Sequence, residues 1–519
     1  MAAAQTDIMP RRRVFAFIAM AVGMFMAILD IQIVSSSLSE IQAGLAAGAS
    51  EISWVQTSYL IAEVVMIPLS GFLGRALSTR YLFAIAAGGF TITSALCATA
   101  TTIDQMMIYR ALQGFIGGAM IPSVFAAAFT IFPPQRRGGI SAVVRLIATM
   151  APTIGPTVGG YLTNLMSWHW LFLINVVPGI AVTLATYLLI DFDKPDFKLL
   201  RKFDYIGLVT LAAFLGGLEY VLEEGPQNDW FSDKTIFYLA IVSAVGCVLF
   251  FWRAFTAEEP VVDLKTFADR NFATGSLFSF MIGVGLYGLV YLYPVFLARV
   301  RGYDSLQIGE TMFVTGMFQM MTAPFAGQLA ARLDSRWMVG FGMALLGLSC
   351  LELVPVTKDW AFGELFIPQA MRGVALMLVM VPISMLALGT LPPELIKNAS
   401  GLFNLTRNLG GAVGLAVITT LLNERTDLHI VRLHEAVGWG REAAVERLQT
   451  MTQAFAPRLG SESELSAIKM LTQMAHRESL VMAFSDVFLA LAVIFIAMVM
   501  LVPFIRKPVP RGAQAGGAH

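Results

Sequence analysis

The sequence predicts an all-α polytopic protein that crosses a membrane many times. Hydrophobic residues make up 57% of the chain and charged residues only 13%, whereas about a quarter of a typical soluble domain is charged. Apolar stretches long enough to cross a bilayer, about 20 residues, recur along nearly the whole chain. The formal net charge is zero, so the composition indicates membrane lipids and no nucleic acid as the surroundings of the protein.

We predict fourteen membrane-spanning (TM) helices, and basic residues set their orientation. The helices cover about residues 14–34, 54–74, 82–101, 106–131, 139–163, 168–190, 205–223, 234–256, 271–298, 306–331, 337–355, 361–389, 399–423 and 480–505. Because Lys and Arg concentrate in cytoplasmic loops, we place residues 1–13 and 506–519 in the cytoplasm. The short outside loops then contain only a few basic residues, namely Lys234, Arg299, Arg301 and Lys358. No cleavage site of a secretory signal follows the first arginines.

An internal repeat divides the chain. Pro68 and Gly71 in the second predicted helix recur as Pro324 and Gly327 in the tenth, and a Pro-Pro pair before the fifth helix recurs at 392–393. We therefore predict two six-helix bundles, residues 14–190 and 271–505. Residues 205–256 form an extra linker pair of helices between them.

The polar segment 424–479 lies inside the second bundle on the outer side. Apolar residues at helical spacing predict a helical hairpin there. We expect its second helix to begin with a capping box formed by Ser461 and Glu464.

The predicted fifth helix, 139–163, combines glycines with two prolines and Arg145. A proline removes a backbone donor and bends a helix, while glycines let another helix approach closely. We therefore predict a kinked helix that packs tightly on one face. A purely structural kink is the alternative.

Charged side chains inside the predicted helices are the candidates for proton coupling. A charge at the bilayer centre costs about 2.5–3.5 kcal/mol on insertion scales, so such residues usually face a cavity or a partner. Desolvation lets a buried carboxyl bind and release a proton near neutral pH, which makes Asp30, Glu63 and Glu219 the candidate proton carriers. Arg110 is the predicted partner because its guanidinium stays charged. A packing hydrogen bond is the alternative for each residue.

Polar and aromatic residues inside the helices are the candidates for the substrate cavity. They are Gln56, Tyr59, Gln113, Tyr287, Tyr291, Asn404 and Arg407. Because most aromatic residues of membrane helices face lipid or neighbouring helices, packing is the alternative for each.

Several motifs together resemble the fourteen-helix drug:proton antiporters of the major facilitator superfamily, EmrB/QacA type. The motifs are Leu29–Val34, Arg110–Gly118, Gly155–Gly160, Trp168–Asn175 and Asn398–Gly411. Residues 228–231 and the long loop before the last helix are most similar to the EmrB branch. The resemblance implies two bundles facing each other across a central cavity and gives Arg110 a coupling role. It also identifies Gly155, Pro156, Gly159 and Gly160 as the antiporter motif.

The resemblance further implies a function. It is the export of hydrophobic or amphipathic, drug-like small molecules in exchange for protons, by alternating access and with no cofactor other than the proton gradient. It implies a multi-pass protein of the cell inner membrane that works with a periplasmic EmrA-like adaptor and a TolC-like outer-membrane channel. Segment 424–479 is the expected docking site of the adaptor.

One loop motif departs from the family pattern. An acid is usual where Arg75 stands and a glycine where Ser78 stands, so the usual charge relay of the first bundle is not expected. The second copy keeps Arg332, Asp334 and Arg336, which we predict as the gating loop. His169 also stands in the place of a common arginine.

Three alternatives to multidrug export follow from the sequence. One is a dedicated exporter of a single metabolite or siderophore, and another is a membrane sensor or scaffold that does not transport. An enzyme is not expected, because Cys97, Cys247 and Cys350 lie in apolar stretches and no nucleophile motif or metal-ligand spacing is present.

Overall fold

Helices form all the regular secondary structure in the part of the chain that the computed structural model describes, residues 11–48, 51–303, 305–436 and 441–506. The first bundle contains α1 (Arg11–Ser36), α2 (Leu38–Leu45), α3 (Trp54–Cys97), α4 (Ile103–Gly117), α5 (Met120–Ile131), α6 (Pro134–Leu165), α7 (Trp170–Leu173) and α8 (Val176–Leu189). The linker pair is α9 (Tyr205–Glu224) and α10 (Lys234–Thr256). The second bundle contains α11 (Arg270–Phe296), α12 (Ser305–Arg332), α13 (Ser335–Leu351), α14 (Phe362–Gly389), α15 (Ile396–Ala436), α16 (Glu442–Leu459) and α17 (Ser463–Val499).

The 44-residue helix α3 covers the second and third predicted spans. At 1.5 Å per residue it is about 66 Å long, roughly twice the thickness of the hydrocarbon core. The backbone leaves the helical conformation at Ser78, with φ 71° and ψ 160°. Ser78 stands where the related motif has glycine, which adopts positive φ without strain. The two predicted spans are therefore two helical segments of α3 that are joined directly at a kink at Ser78.

Ten helices of the described residues are long and apolar enough to cross a bilayer, and α6 is the eleventh if its two parts form one span. Those parts, Gln135–Pro152 and Ile154–Leu165, are bent by 43°, as expected for a helix with internal prolines. The sequence-based number is larger because it divides α3 in two and also includes α12 and the short helix α13. The number of fourteen spans and the side of the termini remain predictions.

The two bundles meet mainly through six helices. Helix α6 packs against α12 and α14, while α15 packs against α3 and α5. Within its own bundle α6 packs on α1, and α15 packs on α11. The fifth helix of each bundle therefore contacts both its own first helix and the opposite bundle.

The linker pair lies at the side of this interface. Helix α9 packs on α3 and α15, whereas α10 packs on α9. Many large apolar side chains of α10 are exposed, among them Tyr238, Val245, Val248, Trp252 and Phe255. Such a face is suited to lipid contact, with α9 on the inner side.

The segment 424–479 is built from helix extensions. Helix α15 continues to Ala436, and α17 already begins at Ser463. Helix α16 packs on α17 around Leu448, Met451 and Ala467. The predicted helical spacing of Leu448 and Met451 is therefore confirmed, whereas Leu465 and Ile468 remain exposed. The predicted capping box is wrong, because the residue before α17 is Glu462 and its side chain makes no capping hydrogen bond.

Candidate substrate and proton site

A completely buried ion pair joins α1 to α4. Arg110 Nη1 lies 2.6 Å from Asp30 Oδ2, and both side chains are inaccessible to solvent. The same nitrogen donates to Gln113 Oε1 at 2.7 Å. Asn175 Nδ2 donates to Asp30 Oδ1 at 2.7 Å. The carboxylate thus has partners on both oxygens, which compensates for its removal from water.

The rest of Arg110 is held by α3 and its preceding turn. Nε donates to the Val55 carbonyl at 3.1 Å, and the guanidinium lies 4.3 Å from the centre of the Tyr59 ring. Nη2 has no hydrogen-bond partner. One arginine therefore connects α1, α3 and α4. A change in the charge of Asp30 would alter the interactions of Arg110 with all three helices.

Asn175 was not among the predicted site residues. It directly precedes α8, makes no capping hydrogen bond there, and donates to Asp30 instead. Its signal in the sequence was its position as the polar end of the apolar motif Trp168–Asn175, which the resemblance included without assigning Asn175 a role.

A cavity of about 510 Å³ lies between the bundles on the side where α1 ends. This volume is within the range of drug-sized ligand sites. The wall extends from buried Glu63 to exposed Ser35, Ser36 and Gln227. The cavity therefore opens towards the side opposite to the start of α1.

Two buried charged groups face this cavity without full hydrogen bonding. Glu63 is 3% exposed and its Oε1 has no partner. Arg407 is 4% exposed and its Nε and Nη1 have no partner. Because buried charged groups are stabilised by hydrogen bonds, these atoms of Glu63 and Arg407 are the groups of the cavity best placed to bind a polar solute.

The structure places the other predicted substrate residues in three environments. Gln56, Tyr287 and Tyr291 line the cavity together with Arg407. Tyr59 lies under Arg110 and Gln113 belongs to the Asp30 cluster, so they are not among the residues of the cavity wall. Asn404 is buried and donates to the Ser400 carbonyl at 2.9 Å inside its own helix. Tyr59 and Gln113 therefore support the buried ion pair, and Asn404 contributes to helix packing, so these three residues are not substrate contacts in this structure.

Glu219, predicted as a proton carrier on the linker pair, lines the same cavity as Glu63. Glu223 lies one turn further along α9 and lines it too. Sequence reasoning missed Glu223, although the i, i+4 spacing from Glu219 indicates the same face of a helix.

The antiporter motif packs against α1. A Cβ atom on Gly159 would lie 2.7 Å from Ser36 Oγ and 3.0 Å from the Ile33 carbonyl oxygen, so the backbones touch there. Gly155 is equally close to Gln32. Pro156 faces the cavity, and the Gly160 carbonyl accepts from Thr163 within α6. The motif thus fixes α6 to α1 beside Asp30 and the cavity.

Close contacts seal the opposite end of the interface. A Cβ on Gly71 would lie 2.8 Å from Asn398 Cα, and one on Gly327 would lie 3.0 Å from Gly139 Cα. These glycines are the repeat-related pair of the two loop motifs. Each one lets a helix end of its bundle touch the start of the fifth helix of the other bundle.

An ion pair missed by sequence reasoning reinforces this seal. Lys397 Nζ lies 2.5 Å from Asp193 Oδ2 and donates to the Gly74 carbonyl at 2.6 Å. Asp193 also accepts from the Thr79 backbone amide at 2.7 Å. The loop between the second and third predicted spans has Arg75 where the related motif has an acid. The carboxylate of Asp193, from the loop after α8, binds to this region instead.

The predicted gating loop shows a more local arrangement. Arg336 Nη2 lies 2.7 Å from Asp334 Oδ2, and the Asp334 side chain also caps α13 through the Arg336 amide. Arg332 is exposed. Both of these contacts join residues of the same loop, whereas the Asp193–Lys397 pair connects the bundles.

Comparisons with known proteins agree with this architecture. Residues 20–415 match the family model of the Major Facilitator Superfamily. The chain is 40% identical to the colistin resistance protein EmrB of Acinetobacter baumannii, over 95% of this chain and 96% of that protein. It is 30% identical to the multidrug export protein EmrB of Escherichia coli K12, over 97% of each chain. The fatty acid resistance protein FarB of Neisseria gonorrhoeae is 27% identical, over 97% of this chain and 98% of that protein.

Solved structures share the fold at low sequence identity. The human organic anion transporter MFSD10 superposes with a TM-score of 0.58 at 12% identity, covering 93% of this chain and 99% of the other. The proton:xylose symporter XylE also gives a TM-score of 0.58 at 12% identity, with 96% of both chains covered. The chain is therefore a transporter of the major facilitator superfamily, in its EmrB branch, and not an enzyme.

Proposed function

We propose that this protein is a proton-coupled antiporter that exports hydrophobic and amphipathic drug-like compounds by alternating access. One observation carries the proposal: the sealed Asp30–Arg110 ion pair joins α1 to α4 beside the cavity. Helix α1 also carries the cavity residue Gln32, and Arg110 donates to the Val55 carbonyl of α3, the helix that carries the cavity residue Glu63. A proton reaching Asp30 would weaken its attraction to Arg110 and release the contacts of α1, α3 and α4. The names of the relatives support export of several compounds rather than one metabolite.

The proposal includes the setting of the transporter. With the termini in the cytoplasm, the cavity opens outward and the Asp193–Lys397 seal lies on the cytoplasmic side. We place the protein in the inner membrane, with the proton gradient as its energy source and no cofactor. The helical extension 424–479 offers a surface for an EmrA-like adaptor that leads to a TolC-like outer-membrane channel.

Transport into everted vesicles tests the coupling. Ethidium accumulation should require an acid interior and should collapse when nigericin dissipates the pH gradient. The double variant Asp30→Asn with Glu63→Gln should lose gradient-driven accumulation, while ethidium counterflow without a gradient persists. Glu310→Gln, an exposed acid, is the matched control and should behave as wild type.

Two results would contradict the proposal. Accumulation by the double variant at the wild-type rate would remove these carboxyls from the coupling mechanism. A wild-type protein that moves no ethidium in either assay would instead favour a sensor or scaffold.

A further inference from the structure

The cavity has a third wall that comes from outside the two bundles. Glu219, Leu222 and Glu223 of α9 line it, followed by Pro226 and Gln227. The linker pair therefore forms part of the chamber between the bundles, in addition to connecting them.

Both bundles hold this wall in place at the mouth of the cavity. On the first bundle, Thr57 Oγ1 donates to Glu224 Oε1 at 3.1 Å. On the second, Trp230 Nε1 donates to Thr420 Oγ1 at 3.1 Å, and Asn423 Nδ2 donates to the Pro226 carbonyl at 3.3 Å. The outer end of α9 is thus fixed on two sides, which keeps its inner face directed at the cavity.

The charges of the cavity are unbalanced. Its described lining contains the acids Glu63, Glu219 and Glu223 but a single basic residue, Arg407. Among the described residues, no hydrogen bond or ion pair to Glu219 or Glu223 is present, and the nearly buried Glu63 has an unpartnered oxygen. Arg407 can balance only one of the three acids, so protons or a cation must compensate for the others.

The remaining wall is apolar and aromatic. Tyr287 and Tyr291 from α11 face the acids of α9 together with aliphatic residues such as Ile28, Leu60 and Ile308. Aromatic faces attract cations and also accept apolar groups. The chamber therefore pairs a negative side with an apolar side.

We propose that α9 is the charge-selecting wall of this cavity. Glu219 and Glu223 bind the positively charged group of an amphipathic cation, whose apolar body lies against Tyr287 and Tyr291. This inference rests on the proposed function, because it assigns the substrate class of the same cavity. It makes the linker pair a determinant of specificity.

Binding of a matched pair of ligands to the purified full-length protein tests this inference. Tetraphenylphosphonium is a permanent cation, and triphenylphosphine oxide is a neutral molecule of similar shape. The double variant Glu219→Gln with Glu223→Gln should weaken binding of the cation about tenfold or more, since truncating one side of a buried charge pair is costly. Binding of the neutral ligand should change by less than about twofold.

Glu258→Gln is the matched control, because Glu258 is an exposed acid near the end of α10 that pairs with Lys202 and is not part of the described lining. It should bind both ligands as wild type does. Unchanged affinity of the double variant for the cation, or equal weakening for both ligands, would overturn the inference. Failure of the proposed function gives a different result in a different assay: ethidium accumulation by the wild type in vesicles would be independent of the pH gradient.

Discussion

The fifth helices of the two bundles, α6 and α15, make the same contact with different residues. Gly155 and Gly159 of α6 press against α1, and Gly410 and Gly414 of α15 press against the backbone of α11 at Phe280 and Val284. Both glycine pairs have the same spacing. Only α6 contains internal prolines and bends sharply. The repeat has therefore kept the packing, while the kink belongs to the first bundle alone.

The fourth helices differ more strongly. Arg110 in α4 is paired with Asp30, whereas Arg372 in α14 is equally buried and forms no ion pair with any of the described residues. Its guanidinium lies 5.4 Å from the centre of the Tyr293 ring, and Nε and Nη1 have no hydrogen-bond partner. The buried arginine–carboxylate pair thus lies in the first bundle, whereas the corresponding arginine in the described part of the second bundle lacks an acidic partner.

The largest expected effect separates these two arginines. Arg110→Met would leave Asp30 buried without its cation, which typically costs about 3–5 kcal/mol of stability, and gradient-driven transport should be lost. Arg372→Met removes a poorly bonded cation and should cost less than about 1 kcal/mol. Thermal unfolding of the purified variants measures the difference. Equal losses would show that the two bundles do not differ in this respect.

A smaller effect is expected from the glycine contact of α6. A side chain at position 159 must displace α1, and overpacking of this kind costs about 1–3 kcal/mol. Gly159→Leu should therefore lower ethidium export about tenfold at normal membrane abundance, since a cost of about 1.4 kcal/mol corresponds to a factor of ten. Gly363→Leu in α14 is the control, because a Cβ there has no neighbour within 4 Å. Export at the wild-type rate by Gly159→Leu would make the kinked contact dispensable.

The smallest effect concerns the contact between the bundles. Asp193→Asn removes the charge that faces Lys397, and a half-buried pair of this kind contributes about 1 kcal/mol. The seal should then open more often, so that a cysteine introduced at Ser70 reacts a few times faster with an impermeant maleimide in everted vesicles. Glu258→Gln, in an exposed pair with Lys202, should leave the rate unchanged. An unaltered rate in Asp193→Asn would assign the seal to the glycine contacts alone.

The sequence was sufficient to predict the fold and the pairing of Asp30 with Arg110, because charged residues inside a membrane are rare and are usually paired with an opposite charge. It was not sufficient for Asn175, Glu223 or the Asp193–Lys397 pair. The contacts of Asn175 and of the Asp193–Lys397 pair depend on how distant segments pack together, which periodicity along one helix does not describe. Helical spacing does place Glu223 on the same face as Glu219, but it does not show that this face of α9 lines the cavity. Tyr59 and Gln113 were predicted to line the cavity but contact Arg110 instead. The residue type alone could not distinguish these two environments.

The attachment of α9 to both bundles has a consequence for the transport cycle. If the outer mouth closes by bringing α3 and α15 together, the distance bridged between Thr57 and Thr420 must shorten. The short segment from Glu224 to Trp230, with positive φ at Asp229 and Trp230, is where the chain can absorb that change. A variant from which residues 205–256 were removed would consequently lack one wall of the cavity. We therefore do not expect it to be a functional twelve-helix exporter.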